Sequence, residues 1–278
     1  MTTIIKILLI LGVAVSSTWA NCWWTGCQPN HWGVKGCAQY DRDERGTRDC
    51  RDNNGAEGKE YHCCEKGTQT EGGGPPPHEI GREFVSYERF SNAVTKNGGP
   101  TPTRDVFNNF NTYARTLGKI EDTQEAAMAL AQFIHESDGL VAKREYACEH
   151  THCPNSYRDS RCDRPGQYYY GRGYIQLTWC YNYGPASQAI FGDDRLLENP
   201  DQVATNDQIA WQTSFWFWGE RVHGQNGVAQ GQFGVTTRRI NGGIECGTGS
   251  STPQKRFQTY GIVREAFGLH GAGDPSGC

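Results

Sequence analysis

The sequence predicts a mainly α-helical domain preceded by a small disulfide-rich module. Three observations support this. The 12 cysteines fall into two groups of six, Cys22 to Cys64 and Cys148 to Cys278. A glycine and proline run separates the groups. The residues after it carry apolar side chains at the 3.6-residue period of a helix, with small irregular or β pieces and no alternating strand long enough for a large sheet.

Residues 1–20 run from a polar start with Lys6 through an apolar stretch, residues 7–15, to Thr18 and Ala20, the small residues a signal peptidase reads. The stretch is too short to cross a bilayer, and no later segment is long and apolar enough to do so. A cleaved leader is therefore expected, and a secreted, extracellular protein with no membrane partner. Loss of Lys6 takes the formal charge from −4 to −5. That balance does not point to a nucleic-acid partner or a polybasic membrane binder. An even cysteine count in an oxidising compartment reads as disulfides.

Residues 21–66 are polar and poor in aliphatics, so disulfides must replace a core there. Trp23, Trp24, Trp32, Tyr40 and Tyr61 are many large rings for so small a module. They fit a carbohydrate-binding surface or rings packed around disulfides, and both readings stay open. Residues 67–78 combine a flexible glycine run with Pro75, Pro76 and Pro77 and read as a linker. Residues 79–278 form the second domain. Helices are expected over 87–96 (Phe90, Ala93, Val94 inward), over 105–117 (Val106, Phe107, Phe110, Tyr113, Ala114, Leu117) and from a capping box at Asp122 and Glu125. The third carries Ala126, Leu130, Phe133 and Ile134 towards a stop at Gly139. Residues 206–218 are apolar nearly all round and should form a central helix.

The third helix ends in His135-Glu136-Ser137-Asp138-Gly139, and Glu145 follows nine residues after Glu136. A carboxylate at the end of an apolar helix is partly desolvated, which favours the protonated form a general acid needs. Two carboxylates across a groove are what glycoside hydrolysis requires. Spacing alone does not separate this pair from solvated surface glutamates.

The neighbouring segments do. Ala131-Gln-Phe-Ile-His-Glu136, Tyr169-Tyr-Gly-Arg-Gly-Tyr-Ile-Gln-Leu-Thr178, Tyr181-Asn-Tyr-Gly184, Leu197-Glu-Asn-Pro-Asp-Gln-Val-Ala204, Phe215-Trp-Phe-Trp218, Phe233-Gly-Val-Thr-Thr237 and Ile240-Asn-Gly-Gly-Ile-Glu-Cys246 stand in order along the second domain. In these blocks the sequence resembles the family 19 glycoside hydrolases, the plant-type chitinases, in a short-loop form. The resemblance does not reach residues 21–66.

It implies a lysozyme-like, two-lobed helical domain with a cleft, an endochitinase that hydrolyses β-1,4 bonds between N-acetylglucosamine units with inversion. Glu136 matches the general acid and Glu145 the general base, with Glu149 the alternative base. Thr178 stands where the family usually has a serine that helps hold the attacking water. Gln176, Tyr181, Asn182, Asn241, Glu245 and Arg256 match substrate-binding positions. For Gln176, Tyr181 and Arg256, a hydrogen-bond network beneath the cleft is an equally open reading. Cys180 replaces a common asparagine and is expected to add a disulfide, and Ser160 replaces an aromatic near the cleft. The resemblance favours Cys153 with Cys162 and Cys246 with Cys278, leaving Cys148 with Cys180. No cofactor is expected, and chitin or chitooligosaccharides are the expected partners of a monomer.

Other motifs are set aside. Gly171-Arg-Gly173 lacks the remaining glycines and the lysine of a phosphate loop, and the second histidine of a zincin is replaced by Gly139. The run Cys148-Glu-His-Thr-His-Cys153 has zinc-ligand chemistry, but the expected disulfides argue against a metal. A peptidoglycan-cleaving hydrolase, a non-catalytic chitin-binding lectin and a structural matrix protein remain the competing functions.

Overall fold

The computed structural model describes residues 22–24, 28–30, 36–37, 43–51, 56–64, 83–247 and 249–278. The expected leader and linker lie outside the described residues, as do Trp32 and Tyr40. The chain divides into two compact units between Glu79 and Ile80.

The first unit is built on β4 (Glu57–Cys64), which pairs antiparallel with β1 (Cys22–Trp24), β2 (Gln28–Pro29) and β3 (Asp43–Arg51). The β3–β4 ladder runs from Asp43 opposite Cys64 to Arg51 opposite Glu57, with a bulge between Glu44 and Gly46. Its exposed face carries the pairs Arg51–Glu57 (2.6 Å) and Lys59–Asp49 (3.0 Å). The Cys37–Cys63 disulfide is buried and stands where a larger domain would place aliphatic core.

The second unit is a helical domain. Ser86 and Thr103 cap α1 (Tyr87–Lys96) and α2 (Arg104–Thr116) by accepting from the third backbone N–H beyond. The expected inward residues Phe90, Ala93, Val94, Phe107, Phe110 and Ala114 are buried. Val106, Tyr113 and Leu117 pack at the margin. Asp122 caps α3 (Thr123–Glu136) through the Glu125 amide at 2.8 Å. The capping box is completed differently from expectation. Glu125 turns its carboxylate inward to accept from Trp218 Nε1 and to meet His223 Nδ1, both at 2.8 Å. A buried indole N–H needs an acceptor, and that need outweighs a reciprocal cap at a helix end.

Every α3 residue from Glu125 to Ile134 is buried, so α3 is central rather than amphipathic. Asn206 caps α7 (Asp207–Phe217), which lies against it. Phe133 sits among Phe215, Trp211 and Trp218, with centroids at 5.1, 6.0 and 6.1 Å in edge-on contact. Between these helices come α4 (Cys180–Phe191), α5 (Arg195–Glu198) and α6 (Gln202–Thr205). A π-helical turn, Trp218–Val222, leads to α8 (Phe233–Glu245) and α9 (Thr252–Phe267), and α9 packs along α3. Among the described residues no helix is long and apolar enough to cross a membrane.

Two disulfides differ from expectation. The bonds are Cys148–Cys153, Cys162–Cys180 and Cys246–Cys278, so only the last matches. Residues 148–152 form a turn, with the His152 amide bonded to the Cys148 carbonyl at 2.7 Å, and His152 and Cys153 take left-handed φ of 58° and 43°. That reversal brings the Cys148 and Cys153 Cα atoms to 5.0 Å, within disulfide reach. Cys180, at the first turn of α4, then meets Cys162.

Candidate active site

Glu136 is the last residue of α3. Its helix closes through the Ser137 amide on the Phe133 carbonyl (3.0 Å) and the Gly139 amide on the Ile134 carbonyl (2.9 Å). Gly139 has φ 76°, and an added Cβ would lie 2.7 Å from the Gly99 Cα. Two glycines thus let the loop after α1 press on the turn that carries Glu136.

The Glu136 side chain is 16% exposed, close to solvent yet largely desolvated. Arg256 of α9, 1% exposed, reaches it from beneath. One guanidinium group holds four acceptors: Nη2 donates to Glu136 Oε1 (2.5 Å) and Glu245 Oε1 (2.6 Å), Nε to Glu245 Oε2 (2.7 Å) and Nη1 to Gln132 Oε1 (2.8 Å). Asn241 adds Nδ2 to Glu245 Oε1 at 2.7 Å. Asn241 breaks the helical run of α8 with φ −145°, ψ 28°. Gln132 completes the set by donating to the Thr236 and Thr237 hydroxyls at 2.8 and 2.9 Å.

The two carboxylates of this network are polarised in opposite directions. Burial pushes the Glu136 carboxyl above the ordinary carboxylate range despite Arg256, and the negative charge of Glu245 adds to the rise. Burial alone would raise Glu245 as well, but two Arg256 hydrogen bonds, its charge, Asn241 and His135 hold that carboxyl below the ordinary range. The bidentate hold on Glu245 directs most of the guanidinium towards it. His135 is lowered to about 4, first by burial and then by the Arg256 charge, so it is neutral at pH 7.

Glu145 is held on a small antiparallel ladder in which Arg144 pairs with Arg172 and Arg172 with Leu177. The Glu145 amide donates to the Gly171 carbonyl (2.9 Å), and the Gly171 amide donates to Glu145 Oε2 (3.2 Å). Tyr157 Oη donates to the other oxygen, Oε1, at 2.9 Å. Gln176, at φ 51°, donates through Nε2 to the carbonyls of Ala142 (3.2 Å) and Gly173 (3.0 Å), which ties the ladder to the turn after α3. An added Cβ on Gly171 would lie 2.7 Å from Gln176 Oε1, so any larger residue there would have to displace the Gln176 amide.

The remaining expected residues cluster beside this ladder. The Thr178 hydroxyl donates to the Gln176 carbonyl at 2.6 Å, leaving its lone pairs as acceptors. Asn182 donates to the Thr178 carbonyl at 2.9 Å. Tyr181 is 45% exposed and stacks on Trp179 at 5.6 Å and 18°. Glu149, the alternative base, is exposed one turn beyond Glu145, and Ser160 is exposed. Cys148 and Cys153 are bonded to each other, which removes their thiolates as metal ligands.

The expected residues therefore fall into two assemblies joined by the turn at 137–142: Glu136, Glu245, Arg256 and Asn241 on the helices, and Glu145, Gln176, Thr178 and Asn182 on the ladder and α4. Arg256 lies beneath the surface, as the network reading allowed, while Tyr181 is exposed. Sequence reasoning passed over Gln132 and Tyr157. Gln132 stands four residues before Glu136, one turn back on the same helix face, a signal that could have found it. Nothing in the spacing marks Tyr157.

A helical domain with a desolvated carboxylate at the end of its central helix and a second carboxylate on a short ladder is a lysozyme-like hydrolase fold. Residues 78–228 match the family of chitinase class I glycoside hydrolases, and the chain belongs to this family, family 19. It is 39% identical over 181 residues to an endochitinase of Arabidopsis thaliana, covering 62% of this chain. The match spans 60% of that relative's length. It is 34% identical over 208 residues to chitinase 5 of Oryza sativa subsp. japonica, covering 70% of this chain and 68% of the relative. The crystal structure of a class IV chitinase from Zea mays superposes with TM-score 0.54 at 28% identity, over 67% of this chain and 94% of the other. Chitinase C from Streptomyces griseus superposes with TM-score 0.55 at 29% identity, over 67% and 94%.

Proposed function

We propose that the protein is a secreted endochitinase that hydrolyses β-1,4 bonds between N-acetylglucosamine units with inversion. The observation that carries this reading is the contrast between Glu136, raised by burial, and Glu145, whose two oxygens accept hydrogen bonds from a phenol and a backbone amide. Protonated Glu136 gives its proton to the glycosidic oxygen. Ionised Glu145 draws a proton from water attacking the opposite face of the sugar, and the anomeric carbon inverts. Thr178 accepts from that water. Arg256 keeps Glu136 oriented and, once the proton has left, stabilises the carboxylate. The amides of Gln176, Asn182 and Asn241 and the ring of Tyr181 suit an uncharged, N-acetylated polymer, and disulfides suit an oxidising compartment.

The test is turnover of soluble N-acetylglucosamine oligomers and of peptidoglycan by the parent, Glu136→Gln and Glu145→Gln. Each variant is expected to lose about 10²–10⁴-fold in kcat on the oligomers. Faster turnover of peptidoglycan, or parental activity in Glu136→Gln, contradicts the proposal.

A further inference from the structure

We propose that Tyr157 is a positioning residue that fixes the orientation of Glu145 for the attacking water. The proposal rests on reading Glu145 as the base. Tyr157 Oη donates to Oε1 and the Gly171 amide to Oε2, so both oxygens are held and the carboxylate cannot rotate freely. Each oxygen keeps a further lone pair with which to accept from water. The phenol is itself braced. Its ring meets Trp179 edge-on at 5.6 Å and 89°, and Trp179 in turn stacks on Tyr181.

The backbone carries a second, independent mark. Tyr157 has φ 56°, a left-handed conformation that is strained for a bulky L-residue and persists where the surroundings over-determine it. The segment that presents it is pinned at both ends, Cys153 to Cys148 and Cys162 to Cys180. Within it the Ser156 amide bonds the Cys153 carbonyl (2.9 Å), and Arg158 pairs with Asp163 (3.0 Å). Two disulfides and a strained residue thus deliver one hydroxyl to one carboxylate oxygen. Because the phenol touches the base, its loss should act on kcat more than on KM.

The experiment compares the parent, Tyr157→Phe and Glu145→Gln on soluble N-acetylglucosamine oligomers across pH. Tyr157→Phe removes one oxygen and is expected to lose about tenfold in kcat with little change in KM. Parental kcat in Tyr157→Phe, beside an inactive Glu145→Gln, would overturn the positioning role alone. An active Glu145→Gln would overturn the base assignment and this proposal with it. A readout independent of turnover, and of whether Tyr157→Phe folds, is the Tyr157 ring carbon in NMR. Burial, then the hydrogen bond to Glu145 and its charge, push this phenol up to about 12. In Glu145→Gln its ionisation should begin at lower pH. An unchanged titration shows that the contact is not made and refutes the proposal.

Discussion

Arg256→Met removes the one cation that serves Glu245, Glu136 and Gln132 at once and leaves two carboxylates in a site built for three charges. Arg256 and Glu245 are 2% and 7% exposed at the side chain, so water cannot replace the lost donors. Breaking a buried pair by removing one partner costs about 3–5 kcal/mol. In a helical unit of this size each kcal/mol moves the midpoint by about 2–4 °C, so a fall in Tm of roughly 6–20 °C at pH 7 is expected. The loss should depend on pH in a defined direction. Without Arg256 both carboxyls have folded pKa values above their unfolded ones. The stability they contribute is then present below the ordinary carboxylate range and lost as pH rises through the folded values. The gap between variant and parent should therefore narrow from pH 7 to pH 4. In the parent the two carboxyls act in opposite senses, the raised Glu136 gaining and the lowered Glu245 losing its contribution as pH falls, so the narrowing comes from the variant's side. Urea denaturation of both proteins at the two pH values is the assay. The double variant Arg256→Met with Glu245→Met should recover much of the loss, because it removes the stranded charge. A single variant within about 1 kcal/mol of the parent at pH 7, or a gap that widens in acid, refutes the reasoning.

Other expectations follow from the same geometry. Gly139→Ala must place a Cβ 2.7 Å from the Gly99 Cα at φ 76° and should cost about 2–4 kcal/mol. Gly166→Ala, at φ 74° with open space around it, should cost only about 1 kcal/mol, and equal losses in urea titrations would remove the role given to the close approach. His135 titrates near 4 in the folded chain against about 6.5 unfolded, so the unfolded chain binds the extra proton between those values. Stability should fall on acidification through that window, by up to about 3 kcal/mol, and His135→Asn should flatten that part of the pH–stability curve. An unflattened curve would mean that His135 is not held neutral.

The helices of the second unit were legible because their signals are local. Asp122 caps α3 as its spacing from Glu125 suggests, and the 3.6-residue stripes of α1 and α2 point inward where the period puts them, while the caps at Ser86, Thr103 and Asn206 emerge only in the structure. What was not legible depends on partners distant in sequence. Glu125 has the spacing of a capping box, yet its carboxylate answers Trp218, 93 residues away. The disulfide partners of Cys148 and Cys180 follow from a reversal at 148–153 that depends on left-handed residues other than glycine. Arg256 was placed at the site by resemblance, but only the fold shows it beneath Glu136, with α9 laid along α3. Tyr157 acquires its place from two disulfides and an aromatic neighbour, none of which a linear pattern encodes.

The most direct measurement of the proposed chemistry is the anomeric form of the first product, read by NMR in the seconds after enzyme is added to N-acetylglucosamine oligomers, before mutarotation. A single displacement at a β-linked sugar, with Glu136 as acid and Glu145 as base, predicts that the α-anomer appears first. Initial release of the β-anomer would contradict the assignment of the two glutamates.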